Sequence, residues 1–223
     1  MDHLKRKEAA FFGRITAGIT HEIKNVLAII QESSGLMEDI LDGTENDVLP
    51  NKDKFIKSLE RIRRQIQRGI DITSGLNWFA HSPDHSPANL DLNELAGQMV
   101  LLASRFARLK NVSLESSPSD PPLMIDTDPV LLEMAVFESI EILLKGIDSG
   151  GKIMLSPRKI QNRYVLGVSY EHTVVYNEDF PAKISSTKQW ASLQETMNSL
   201  KGTAKMFGPA PEILLYLQES NDD

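Results

Sequence analysis

The chain has 223 residues, 41% hydrophobic and 25% charged, an ordinary globular composition with room for one large or two modest domains. A net charge of −7 argues against nucleic acid as a partner, and the absence of cysteine excludes disulfides, thiol catalysis and cysteine zinc sites. No apolar run reaches the roughly 18 residues of a membrane span, and MDHLKRKEAAFF lacks the apolar core of a secretory signal, so no membrane partner and a cytoplasmic location are expected.

A first helix is predicted from about Leu4 to Leu41. Phe12, Ile15, Ile19, Ile23, Val26, Ile30 and Met37 recur at three- and four-residue steps and mark its buried side. Its stretch ITHEIKNVLAII carries His21, Glu22 and Asn25. A neutral imidazole is nucleophilic near pH 7, a neighbouring carboxylate can hold one tautomer, and an amide four residues on lies one turn away on the same face. This layout suits a histidine that carries a phosphoryl group. Arg14, Ala17, Gly18, Lys24, Asn25, Ala28 and Glu32 share the face of His21. Their small and polar side chains predict an exposed imidazole that another protein can approach. Arg14 and Lys24 are candidates to offset phosphoryl charge.

GTENDVLPN after the first helix is rich in turn formers, and a second helix is predicted from about Asp53 to Ala80. Phe55, Leu59, Ile62, Ile66, Ile70, Leu76 and Phe79 mark its apolar side, and Arg61, Arg63, Arg64 and Arg68 make its middle basic. One antiparallel hairpin cannot cover both stripes, so two copies are expected to pair as a homodimeric four-helix bundle. The hairpin occupies residues 1–82. Residues 83–90, with two prolines in HSPDHSPANLDL, read as a linker, and His81, Asp84 and His85 read there as solvated residues rather than metal ligands.

Residues 91–223 alternate helices and strands. Asp91 and Glu94 suggest a capping box for a helix to about Leu109. Val112–Ser116 and Leu123–Ile125 read as extended, and Pro129 opens a helix to about Ile147. Gly150 and Gly151 turn the chain into strands at Lys152–Ser156 and Tyr164–Tyr170. Ser186–Leu200 reads as helix, Thr203–Phe207 as extended and Glu212–Leu217 as a last strand. The order predicts an α+β fold with a two-layer sandwich after the hairpin.

Phe11–Ile30, with AGITHEIKNVL from Ala17 to Leu27, resembles the H-box of the dimerisation and phosphotransfer domain of two-component histidine kinases. The resemblance implies His21 as phospho-acceptor, Glu22 as its acid/base neighbour and Asn25 as the amide that assists kinase or phosphatase chemistry. Where the family pattern has proline, this chain has Val26, which predicts a straighter helix past the histidine. LDLNELAGQMV and the block from Asp128 to Leu155 resemble the family's catalytic and ATP-binding domain.

That second domain departs from the family where nucleotide is bound. The alignment sets Glu138 and Ile142 at two asparagines, the second of which holds magnesium in the family. Isoleucine offers no oxygen donor. Tyr170 stands at the adenine-reading aspartate and His172 at the first glycine of D-x-G-x-G. Ser186, Thr187 and Lys188 survive before the lid, but no glycine cluster follows. The expectation is a degenerate histidine-kinase-type domain without ATP or any other cofactor. The chain is then a histidine phosphotransfer protein in a phosphorelay, its partner a response-regulator receiver domain that brings its own magnesium. The alternatives are a receiver phosphatase acting through Asn25, a non-enzymatic pseudokinase scaffold and an active kinase. Only 20 residues precede His21, so any sensor domain is expected to be absent, on another chain or outside this sequence.

Overall fold

A computed structural model describes residues 2–42, 51–84, 86–147, 149–171, 180–208 and 211–217. Helix α1 (Asp2–Asp42) runs unbroken past Val26, which is buried, and Asn51 in the left-handed region (φ 63°) precedes α2 (Lys52–His81). The loop predicted between them lies outside the described residues. The two helices pack along much of their length, as apolar positions at helical spacing require.

Beyond α2, a 3₁₀ turn (Ser82–Asp84) leads to β1 (Ala88–Asp91), which pairs antiparallel with β3 (Met124–Thr127). The segment read as linker therefore contributes a strand. Its partner lies 36 residues away in the register Ala88↔Thr127 to Asp91↔Met124, and no local pattern announces a four-residue edge.

Asp91 caps α3 (Leu92–Arg108) by accepting the Asn93 backbone N–H, one residue earlier than the predicted capping box. Asp128 accepts the Leu131 N–H, and Pro129 at the first turn starts α4 (Pro129–Gly146). Helix α4 is apolar nearly all round and is correspondingly buried.

The main sheet has five strands in the order β2 (Ser113–Ser116), β4 (Lys152–Ile160), β5 (Arg163–Glu171), β7 (Glu212–Tyr216), β6 (Thr203–Phe207). Only β2 and β4 are parallel. Strand β4 runs past the predicted end at Ser156 through Pro157. The β2 partner stops at Leu155, so the proline interrupts no ladder on that side. Helix α5 (Phe180–Ser185) was not anticipated, and α6 (Lys188–Ser199) begins two residues late because Thr187 caps it through the Trp190 N–H.

One apolar core runs through both parts of the chain. Phe11, Ile15, Ile19, Ile72 and Phe79 of the hairpin join Leu95, Met99, Phe137 and Ile140 of α3 and α4. Phe11 meets Phe79 edge-on with ring centres 5.3 Å apart and Phe137 at 5.5 Å, while Phe106 meets Phe137 at 5.1 Å. The upper half of the hairpin is thus tied to the second lobe. Leu27, Leu36 and Leu41 on α1 and Ile56, Leu59, Ile66 and Ile70 on α2 remain exposed.

Candidate functional site

His21 lies on the exposed rim of α1, and Ala17, Lys24, Asn25 and Ala28 are exposed with it. Ile15, Ile19 and Val26 point the other way into the core. Two residues assigned from sequence to the partner-facing surface meet the second lobe: Gly18 is covered by it, and Arg14 binds it while staying exposed. Gly18 is buried against α3, where an added Cβ would lie 3.1 Å from two ring carbons of Phe106. Arg14 forms a two-pronged ion pair with Glu141 of α4 and stacks over Phe137, 5.1 Å from its centre. A 3.6-residue period gives the angle of a side chain about its own helix, not which sector meets another domain.

Glu22 also departs from its sequence expectation. Its carboxylate is held by Arg68 of α2 and Arg108 of α3, with Arg105 Nη1 at 3.9 Å. Consecutive helical residues diverge by about 100°, so the side chain after an exposed histidine points along the flank of the helix. The result is an ionic node joining three helices from both domains, with Glu22 itself only 8% exposed. Sequence reading saw Arg68 as one of a basic run and gave no role to Arg105 or Arg108. A helix-end position for two arginines was the available signal, since cations favour that terminus.

A second polar cluster joins α1 to α4 and α6. Lys7 Nζ donates to Thr196 Oγ1 (2.9 Å) and to the Ser192 carbonyl (3.0 Å), and pairs with Glu138 Oε1 at 3.6 Å. Glu138 in turn accepts Ser192 Oγ (2.6 Å) and Thr196 Oγ1 (3.0 Å). Lys7, Phe11, Arg14, Glu138, Glu141 and Ser192 line a remaining cavity of about 270 Å³. Ile142 is buried at 1% exposure, and Tyr170 is buried with its hydroxyl on the Gly150 carbonyl at 2.7 Å. Thr187 serves as a helix cap. His172 lies outside the described residues.

At the joint between α2 and the lobe, Ser82 Oγ donates to Glu133 Oε1 (2.5 Å), while Glu133 Oε2 has no hydrogen-bond partner among the described residues. Burial pushes the Glu133 carboxyl up to about 8. The Ser82 hydrogen bond opposes this and the charge of Asp128 adds to it. Nearby, His81 Nδ1 meets Asp84 Oδ2 at 2.7 Å, and among the described residues no group of three or more metal-ligating side chains converges. No helix among them is long and apolar enough to cross a membrane.

No protein-family model matches the chain, and no curated protein matches it in sequence. Solved structures are similar to it in fold. The catalytic domain of histidine kinase ThkA, nucleotide-free, superposes with TM-score 0.50 and 12% identity, covering 60% of this chain and 98% of that one. Full-length ShkA, solved with AMPPNP, gives TM-score 0.51 and 15% identity over 87% of this chain and 45% of its own. The chain is therefore a helical N-terminal hairpin followed by an α/β domain with the fold of a histidine-kinase ATP-binding domain.

Proposed function

We propose that this chain is a histidine phosphotransfer protein of two-component signalling, in which His21 exchanges a phosphoryl group with receiver-domain aspartates of response regulators and ATP takes no part. The observation that carries this reading is an exposed His21 on a face of small and polar residues; buried Ile142 and ion-paired Glu138, which stand where the resemblance expects two asparagines, support the part without ATP.

A neutral imidazole nitrogen attacks the phosphorus of the receiver's acyl phosphate. The N–P bond forms as the P–O bond to aspartate breaks, and the aspartate leaves as a carboxylate. The reverse step passes the group to a second receiver. Ala17 and Ala28 let the partner approach closely, and Lys24 offsets phosphoryl charge. Magnesium belongs to the receiver. Glu22 acts from the flank as a positioning residue, fixing the helix turn that presents His21.

Receivers phosphorylated with a radiolabelled phosphodonor, mixed with this protein, are expected to label the wild type and not His21→Ala. Label that persists on His21→Ala, or that reaches the wild type only from ATP with magnesium, contradicts the proposal. Asn25, exposed one turn after His21, favours a second reading as a receiver phosphatase. In that case His21→Ala keeps receiver dephosphorylation and Asn25→Ala loses it.

A further inference from the structure

We propose that the C-terminal end of α3, Arg108 to Lys110, is a second contact surface for the receiver that engages His21, with Leu109 as its apolar anchor. The inference rests on the phosphotransfer reading and specifies how the partner sits.

The position comes first. Phe106 packs on Gly18, one turn before His21, and Arg108 binds Glu22, the next residue after it. The end of α3 therefore stands at the height of the imidazole, on the rim of the same helix. A partner centred on His21 meets this end of the second lobe.

Its chemistry is unlike its surroundings. Leu109 is 69% exposed, more than any other large apolar residue among those described, and it sits between exposed Arg108 and Lys110. Isolated surface leucines are common. This one lies in a pocket of positive charge on a chain of net charge −7. Arg68, Arg105 and Arg108 converge on the single carboxylate of Glu22, an excess of two positive charges, and exposed Lys110 follows Leu109 in the chain. A receiver's acceptor site is a cluster of carboxylates, so the charges of the two faces are complementary. An apolar side chain flanked by two cations supplies the desolvated centre that charge alone does not.

The test uses the full chain and whichever receiver, from a panel phosphorylated with acetyl phosphate, labels the wild type fastest. Labelling rate is measured against receiver concentration for Leu109→Glu, Leu109→Met and Lys110→Glu, with melting temperatures as a folding control. Leu109→Glu is expected to raise the half-saturating concentration about tenfold while the saturating rate stays within about twofold. Leu109→Met restores it, and Lys110→Glu flattens the dependence on salt. Unchanged half-saturation in a folded Leu109→Glu protein overturns the surface and leaves the phosphotransfer reading standing. A change in self-association without a change in receiver affinity assigns the patch to a second copy and also overturns it. If no receiver labels the wild type, the phosphotransfer reading falls and the surface falls with it.

Discussion

Glu133 shows how much one side chain can hold at a joint. Its carboxyl is fully buried, with Ser82 as hydrogen-bond partner and a raised pKa of about 8 against an unfolded value of 4.5. Between those two values the folded state keeps a proton that the unfolded chain releases, so stability from this group is complete below about pH 4.5. It falls by about 1.4 kcal/mol per pH unit as pH rises towards 8. Glu133→Gln removes that slope. The variant should melt near the wild type at pH 4.5 and increasingly above it up to pH 8, and a gap in melting temperature that does not widen with pH would show that this carboxyl is not held neutral. The exposed His21 face was legible at this scale because small and polar residues repeat at helical spacing. Glu133 was not. A glutamate inside an apolar helix looks like a solvent-facing break until its neighbours on every side are known.

Among the elements, α3 is the one that joins the hairpin to the lobe, through Phe106 on Gly18 and the arginine node on Glu22. Breaking that node by Glu22→Gln leaves Arg68, Arg105 and Arg108 facing one another without a counter-charge. The expected loss is about 1–3 kcal/mol in thermal unfolding, recovered in part by added salt that screens the repulsion. An unchanged melting curve would mean that the node adds nothing beyond its apolar surroundings. Helices were readable from the sequence because their stripes, caps and the proline at the start of α4 are local signals. The pairing of β1 with β3 and the ion pairs of Lys7 and Arg14 were not. Lys7 and Glu138 are 131 positions apart, and only the packed fold determines which of many surface charges meet.

At the scale of the whole molecule, the upper hairpin is covered by the lobe and the exposed apolar residues fall elsewhere on α1 and α2. Leu36, Leu41, Ile56, Leu59 and Ile66 stand 42–48% exposed, with Leu27 and Ile70 more exposed still. A second hairpin laid against them would complete a four-helix bundle. Light scattering of the full chain is expected to give twice the 24.9 kDa monomer mass, and Leu59→Glu with Ile66→Glu to reduce it to one. A wild type that stays monomeric at high micromolar concentration would leave these residues without that partner. Their periodicity was visible in the sequence, but not how they divide between covered and open, because the second lobe takes part of the stripe that a bare hairpin would bury in its twin.

Lys7, Arg14 and Glu22, the three charged anchors of α1, stand about two turns apart. Sliding the lobe along the helix by a single turn, about 5.4 Å, would set every anchor opposite the wrong neighbour. The lobe thus has no adjacent resting place: it is seated or it is off. A ruler pinned at residue 7 thereby fixes what stands beside the imidazole about 21 Å further along.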